Sequence, residues 1–354
     1  MSIMTRVVLA DDSPSVRAVL RRFLRRTEDL EVIAEASDGA QAVEAVLEHG
    51  PDVVVMDLQM PVMDGYSAIE RIMEQRPTPI VVLTSRANRN EMRTAFEAMR
   101  RGALEVLPKP EDPESWRHLA DTLPATLRAV AEVGPAVPAG RRKRRPRPQP
   151  PVRSLPPVER RPDLRWVGIG ASTGGPAAIR DLLEALPGRP PVTILLVQHI
   201  APGFELGLAD WLRRELGLDV KVARHGERPR PGAVRLAPAG FHLRLAPGGL
   251  LELDSRSPPV QGHRPAVDEL FFSLAQGDSR RAAGALLTGM GSDGVEGLLE
   301  LRRQGGLTLA QDEATSVVYG MPRVALEKGA VENALSLQEI ARTLARAWKG
   351  APGE

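Results

Sequence analysis

Gly168-Ile169-Gly170-Ala171-Ser172-Thr173-Gly174-Gly175 follows the apolar pair Trp166-Val167 and precedes a helical pattern running from Pro176 to Ala185. Strand, glycine-rich turn and helix in succession mark a unit of a helix-covered parallel sheet. The centre, Gly170-x-Ser172-x-Gly174, has the spacing of a nucleophile elbow. Glycines on both sides of a serine permit a sharp turn that lifts the hydroxyl out of the sheet and aims nearby backbone N–H groups at the atom it attacks. A glycine-rich turn that only binds a phosphate, or only turns, reads the same in isolation. The dinucleotide-binding version fails on spacing, because G-x-G-x-x-G counted from Gly168 and Gly170 requires glycine where Thr173 stands.

With 354 residues the chain is long enough for two domains. No apolar run is long enough to span a bilayer, and Met1 to Arg6 leads into a short strand instead of a signal peptide. The absence of cysteine excludes disulfides and thiolate chemistry, and the expected location is cytoplasmic, without membrane insertion. The net charge of +2 hides a division: residues 1–140 carry 16 basic and 22 acidic groups, 141–165 carry 10 and 2, and 166–354 carry 21 and 21. The basic excess belongs to one short segment and not to a folded face, which argues against a nucleic-acid partner.

From Arg6 to about Val130, short β-branched runs alternate five times with amphipathic helical stretches. The expected strands are Val7 to Ala10, Glu31 to Ala34, Val53 to Met56, Ile80 to Leu83 and Leu104 to Leu107. The expected helices are Pro14 to Arg26, Gly39 to His49, Gly65 to Gln75, Asn90 to Arg101 and Pro113 to Arg128. Polar residues collect at the strand ends: Asp11 and Asp12 after the first, Asp57 after the third, Thr84 and Ser85 after the fourth, Lys109 after the fifth. Carboxylates gathered beside a lysine and a hydroxyl require a neutralising cation, and hard oxygen ligands favour Mg²⁺. One carboxylate can then accept a phosphoryl group.

Asp11-Asp12-Ser13, Met56-Asp57-Leu58-Gln59-Met60-Pro61-x-Met63-Asp64-Gly65, Leu83-Thr84-Ser85 and Lys109-Pro110 closely resemble the receiver domain of two-component response regulators. The resemblance implies a flavodoxin-like domain over residues 3–125 and Asp57 as the phosphorylated aspartate. Asp12, Asp57 and the Gln59 carbonyl would be the Mg²⁺ ligands, Asp11 an outer acidic partner, and Thr84 and Lys109 contacts of the phosphoryl group. A histidine kinase would supply the phosphate. Many receivers carry an aromatic switch residue three positions before the lysine, where this chain has Val106.

Residues 126–164 form the expected linker. Arg141-Arg142-Lys143-Arg144-Arg145 and Pro146-Arg147-Pro148-Gln149-Pro150-Pro151 remove backbone donors and concentrate like charge, predicting an extended spacer.

After Arg165 the strand and helix alternation resumes. Val192 to Val197 is an unbroken apolar run of the kind that fills a central parallel strand, and it ends at Gln198-His199. A helix is expected from Phe204 to Leu216, and an antiparallel hairpin excursion from Val234 to Leu253. The apolar run Ala282 to Leu287 ends in Thr288-Gly289-Met290-Gly291-Ser292-Asp293-Gly294 and leads into a helix from Val295 to Arg303. Leu307 to Ala310 and a helix near Arg323 to Lys328 continue the scheme. Three strands thus deliver Ser172, His199 and Asp293 at their carboxyl ends. A serine needs an imidazole to take its proton, and that imidazole needs an acceptor to fix its tautomer. His199 is the choice among the four histidines of this half because it alone directly follows a long buried strand. The order Ser, His, Asp differs from the Ser, acid, His order of α/β-hydrolases, so the elbow does not license that fold.

Gly170 to Gly175, Gln198-His199-Ile200-x-Pro202-Gly203-Phe204, Gly262-His263-Arg264-Pro265-x-Val267-Asp268, Leu287 to Gly294 and Gly320-Met321-Pro322 resemble the chemotaxis protein-glutamate methylesterase family. The resemblance implies a doubly wound, mostly parallel α/β catalytic domain over 165–349, with its triad on Ser172, His199 and Asp293. It implies hydrolysis of glutamate methyl esters on chemoreceptor helices, with deamidation of particular receptor glutamines and no esterase cofactor. Oxyanion donors fall near Thr173 and Met290. Asp57 phosphorylation would uncover the esterase site. His263 and Arg264 either shape the substrate groove or are an ordinary loop pair. A non-catalytic binding module, or a regulator acting on nucleic acid through the basic linker, remains the alternative.

Overall fold

Val7-Val8-Leu9-Ala10 is apolar at every position because both faces of its strand are covered, and none of the four is more than 1% exposed. The structure is a computed structural model describing residues 4–85, 95–133, 161–277 and 279–349. It divides into two compact units, before and after Pro148.

The first unit runs β1 (Thr5–Ala10), α1 (Pro14–Leu24), β2 (Leu30–Ala36), α2 (Gly39–His49), β3 (Val53–Met56), α3 (Gly65–Gln75), β4 (Ile80–Thr84), α4 (Glu97–Arg101), β5 (Glu105–Pro108) and α5 (Pro113–Val133). Its sheet has the order β2-β1-β3-β4-β5, with every pairing parallel. Ser13, Asp38 and Asp64 accept N–H bonds at the starts of α1, α2 and α3. Each such cap stabilises its helix by about 1 kcal/mol and fixes the angle at which the chain leaves the strand end. The expected strands and first three helices match to within a few residues. Of the helix expected from Asn90, Glu97 to Arg101 is observed, and residues 86–94 lie outside the described residues. The last helix continues past Arg128 to Val133, into the stretch expected as linker. At the other end of that stretch, the Arg161 N–H donates to the Ala347 carbonyl at 2.9 Å. The Arg141 to Pro151 readings fall outside the described residues.

The second unit runs β6 (Trp166–Ala171), α6 (Gly175–Ala185), β7 (Thr193–Gln198), α7 (Phe204–Leu216), β8 (Asp219–Val222), β9 (Ala233–Leu236), β10 (His242–Ala246), β11 (Leu250–Asp254), α8 (Val267–Gln276), β12 (Ala282–Leu286), α9 (Val295–Arg303), β13 (Leu307–Gln311), α10 (Met321–Glu327), β14 (Ala334–Leu335) and α11 (Leu337–Lys349). Seven strands form one sheet of order β14-β13-β12-β6-β7-β9-β8, all parallel. Among the described strands only β10 and β11 pair antiparallel, so the stretch from Val234 belongs to the main sheet and the hairpin starts at His242. Glycine and proline punctuation marks where a strand ends, but not the direction of the strand it pairs with. The core gathers around α8, whose Phe271 and Leu270 are fully buried among residues from β7, β12 and α9. Gly168 and Gly284 carry no side chain where α8 and α9 lie on the sheet: a Cβ at Gly168 would meet Leu274 of α8 at 2.7 Å, and one at Gly284 would meet Leu298 of α9 at 2.6 Å.

Candidate functional site

In the first unit, β1 and β3 bring Asp11 and Asp57 to the carboxyl edge of the sheet, where both are nearly fully buried. The Lys109 Nζ, beyond β5, lies 2.8 Å from Asp11 Oδ2 and 2.6 Å from Asp57 Oδ2. Asp12 is exposed beside them, and oxygens of the three aspartates lie within 4.8 Å of one another. The Leu58 N–H donates to Asp57 Oδ1 at 2.7 Å. Gly65 permits this turn, since a Cβ there would meet the Asp57 carbonyl at 2.0 Å. Thr84 ends β4 buried, and its carbonyl accepts the Lys109 N–H at 2.7 Å. Gln59 is exposed at the rim. Val106 is buried in β5.

Burial pushes the Asp57 carboxyl above its ordinary range, against the pull of Lys109, and the nearby Asp11 charge acts in the same direction as burial. For Lys109, burial opposes the charged form, yet the two aspartates outweigh it and the ammonium is held above its usual value. Three carboxylates, two of them buried, against one ammonium leave net negative charge at this edge of the sheet. All-oxygen donors with excess negative charge fit a hard divalent cation.

In the second unit, adjacent strands β12, β6 and β7 deliver the three residues singled out in the sequence. Ser172 follows β6, and its N–H donates to the Thr288 carbonyl at 3.0 Å. Gly289 allows that approach, because a Cβ there would meet Ser172 Cβ at 2.7 Å. Gly174 takes φ +75° at the start of α6, a left-handed turn that glycine adopts without strain. His199 follows β7, and its Nε2 lies 2.7 Å from Asp293 Oδ2. The side chains of His199 and Asp293 are 7% and 2% exposed, so this pair is shielded from water. The other ring nitrogen, Nδ1, is buried and has no partner among the described residues. The Ser172 hydroxyl thus makes no hydrogen bond to His199 in this structure; such bonds are often long in unliganded sites and tighten with substrate.

Asp293 is itself held by backbone. Its Oδ2 accepts the Val267 N–H at 2.7 Å and its Oδ1 accepts the Asp268 N–H at 3.0 Å. Burial raises the Asp293 carboxyl, but the His199 bond and charge together with the two backbone donors prevail, holding it below the ordinary carboxylate range. The result is an ionised acceptor beside an imidazole, which fixes the tautomer with the proton on Nε2 and a lone pair on Nδ1.

Of the expected oxyanion donors, Thr173 follows Ser172 directly, and Met290 sits in the turn between β12 and α9, 38% exposed. Their backbone N–H groups donate to no group among the described residues, whereas those of Ser172 and Gly289 are engaged by Thr288 and Val318 carbonyls.

Two residues were missed in the sequence, and a third had its role left open. Gln198 Nε2 donates both to the Ser172 carbonyl at 2.8 Å and to the His199 carbonyl at 2.9 Å, tying the two loops together. Its only sequence signal was its place immediately before His199. His263 lies flat on His199, with ring centroids 3.7 Å apart and planes 6° apart. Of the two readings left open for it, neither placed it against this ring. Arg264 instead points away, donating to the Ser255 and Ser257 carbonyls. Asp268, present in the same motif, is buried with its carboxyl pushed up to about 6 by burial and by the Asp293 and Glu296 charges.

Residues 7–121 match the response regulator receiver domain profile and residues 167–344 match the profile described as CheB methylesterase. Protein-glutamate methylesterase/protein-glutamine glutaminase 4 of Myxococcus xanthus is 44% identical over 350 residues, covering 98% of each chain. Protein-glutamate methylesterase/protein-glutamine glutaminase 2 of Anaeromyxobacter dehalogenans is 45% identical over 339 residues, covering 96% of each. The solved catalytic domain of Thermotoga maritima CheB methylesterase aligns at 38% identity and TM-score 0.49, covering 51% of this chain and 97% of its own. Two profiles matched in this order, with relatives aligned along nearly the whole length, establish that the chain belongs to the CheB methylesterase family, with an N-terminal response regulator receiver domain.

Proposed function

We propose that the second unit hydrolyses glutamate methyl esters, and deamidates particular glutamines, on the cytoplasmic helices of chemoreceptors. Ser172 acts as nucleophile, His199 as general acid and base, and Asp293 as the group that orients and charges it. The observation that carries this reading is the buried 2.7 Å pair between His199 Nε2 and Asp293, with Ser172 on the adjacent strand end. Asp293 occupies Nε2, so Nδ1 receives the Ser172 proton as the hydroxyl oxygen attacks the glutamyl carbonyl. The developing imidazolium is stabilised by a carboxylate that its backbone donors keep ionised. Thr173 and Met290 N–H groups receive the oxyanion of the tetrahedral intermediate. Nδ1 then gives its proton to the departing methoxide, releasing methanol, or to the leaving amine of a glutamine side chain, releasing ammonia. Water, deprotonated at the same nitrogen, resolves the acyl-enzyme and restores the serine.

The first unit takes a phosphoryl group on Asp57 from the histidine kinase of the same cytoplasmic signalling pathway. Asp12, Asp57 and the Gln59 carbonyl would hold Mg²⁺, which when bound would supply positive charge to balance the phosphoryl oxygens. Asp11, Thr84 and Lys109 shape and neutralise the acceptor. Phosphorylation of Asp57 raises the esterase rate. A serine-reactive fluorophosphonate tests the catalytic half: it labels the native chain and fails on Ser172→Ala. Equal labelling of both contradicts the nucleophile assignment. Deleting residues 1–140 tests masking. It raises the unstimulated rate if the receiver covers the site, and an unchanged rate, with phosphorylation of the full chain still stimulating, excludes simple cover.

A further inference from the structure

Helices α8 and α9 begin next to each other, and neither carries a cap of its own: Ala266 and Gly294 precede them without a side-chain hydrogen bond to the first turn. Each is capped by an aspartate borrowed from the other. Asp293, one residue before Gly294, accepts the Val267 and Asp268 N–H groups of the first turn of α8. Asp268, in that turn, returns the bond by accepting the Gly297 N–H of α9 at 2.8 Å.

The exchange requires close backbone approach. A Cβ at Gly297 would meet the Asp268 carbonyl at 2.6 Å, and one at Gly294 would meet Val267 Cγ1 at 2.5 Å. A second tie runs through Gln261, whose Nε2 donates to Asp268 Oδ2 at 3.3 Å and whose Oε1 accepts the Ser292 hydroxyl at 2.9 Å. Ser292 is the residue before Asp293, so both tethers from Asp268 end on the segment that carries Asp293.

We propose that Asp268 is a positioning residue for the esterase: by capping α9 and bridging through Gln261 to Ser292, it fixes the turn that aims Asp293 at His199. This rests on the reading of Ser172, His199 and Asp293 as the triad. The bonds of Asp268 go to Gly297, Gln261 and Asp293 and not to Ser172 or His199, so its effect passes through Asp293. Helix caps of this kind tolerate asparagine, which retains an acceptor oxygen.

The test is a double-mutant cycle on the full chain, with Mg²⁺ and a small phosphodonor, reading methanol release from methylated receptor membranes. Asp268→Ala is expected to lower kcat roughly tenfold, with KM within about twofold, and Asp268→Asn to keep at least about a third of kcat. On an Asp293→Ala background, adding Asp268→Ala is expected to change kcat by less than about twofold, because the residue it positions is gone. An equal loss on both backgrounds, or a kcat for Asp268→Ala within about threefold of native, overturns the proposal. Should Asp268→Ala fail to fold, Asp268→Asn decides: retention of about a third of kcat or more supports the cap, and less overturns it. Full activity in Asp293→Ala would instead mark failure of the triad reading, and is separately visible in the same cycle.

Discussion

The imidazoles of His199 and His263 lie parallel, 3.7 Å between centroids and 6° between planes. The stack restrains tilting of the His199 ring about its Cβ–Cγ bond and so supports the plane in which Nε2 meets Asp293. It also excludes water from one face of the ring. Offset or edge-to-face aromatic pairs contribute about 0.5–1.5 kcal/mol, and this nearly face-to-face pair contributes through packing and restraint at the lower end of that scale. His263→Ala is therefore expected to lower kcat by roughly two- to tenfold with little change in KM, and His263→Phe, which retains a flat ring, to recover most of it. Steady-state methanol release measures this. A kcat for His263→Ala equal to native contradicts the role.

Gly170 faces Val267, the residue whose N–H holds Asp293. A Cβ at Gly170 would meet Val267 Cγ1 at 2.1 Å, a distance no side chain tolerates. Gly170→Ala is expected to destabilise the second unit by about 1–3 kcal/mol, and to reduce activity by displacing the start of α8. Shortening the partner in Gly170→Ala/Val267→Ala restores part of both. A melt showing no loss in the single variant contradicts the close packing of β6 and α8.

The acidic cluster of the first unit predicts a metal effect on stability. Asp57 and Asp11 crowd one ammonium, and a bound cation offsets the remaining charge, so Mg²⁺ is expected to raise the unfolding midpoint of that unit. Asp57→Asn removes one ligand charge and most of the shift. Equal shifts in native and variant protein would place the ion elsewhere.

Asp268 gives a pH dependence of known sign. Its carboxyl is pushed up to about 6 in the folded protein from an ordinary 3.8, so folding favours the protonated form. That contribution is complete below the ordinary value and is lost as pH rises through the folded one. Asp268→Asn, permanently neutral, is expected to gain in unfolding midpoint over native protein between about pH 4 and about pH 7. A constant difference across that range contradicts the perturbed carboxyl.

The legible part of the fold is the part with strong local pattern. Helices α7 and α9 match their expected bounds residue for residue, because apolar spacing is framed by a glycine at each start. β8 was missed, since Asp219-Val220-Lys221-Val222 is a short edge strand with polar alternate positions. β14, only two residues long, carries no periodicity at all. The direction of β9 depends on its partner β7, more than thirty residues away, which no local signal encodes. In the site, Ser172, His199 and Asp293 were legible because each ends a buried strand in a glycine-rich or motif-bearing turn. Gln198 reaches the Ser172 carbonyl and Asp268 the Gly297 N–H, both distant in sequence, and the His263 stack joins two loops that are also far apart along the chain. Such residues are recognisable only once the chain is folded.

The most direct measurement is methanol release from methylated receptor membranes by the full chain, with and without a small phosphodonor and Mg²⁺, beside Ser172→Ala and Asp57→Ala. The expected result is release that phosphorylation raises, lost in Ser172→Ala and unstimulated in Asp57→Ala. Undiminished release by Ser172→Ala would contradict the catalytic assignment at its centre.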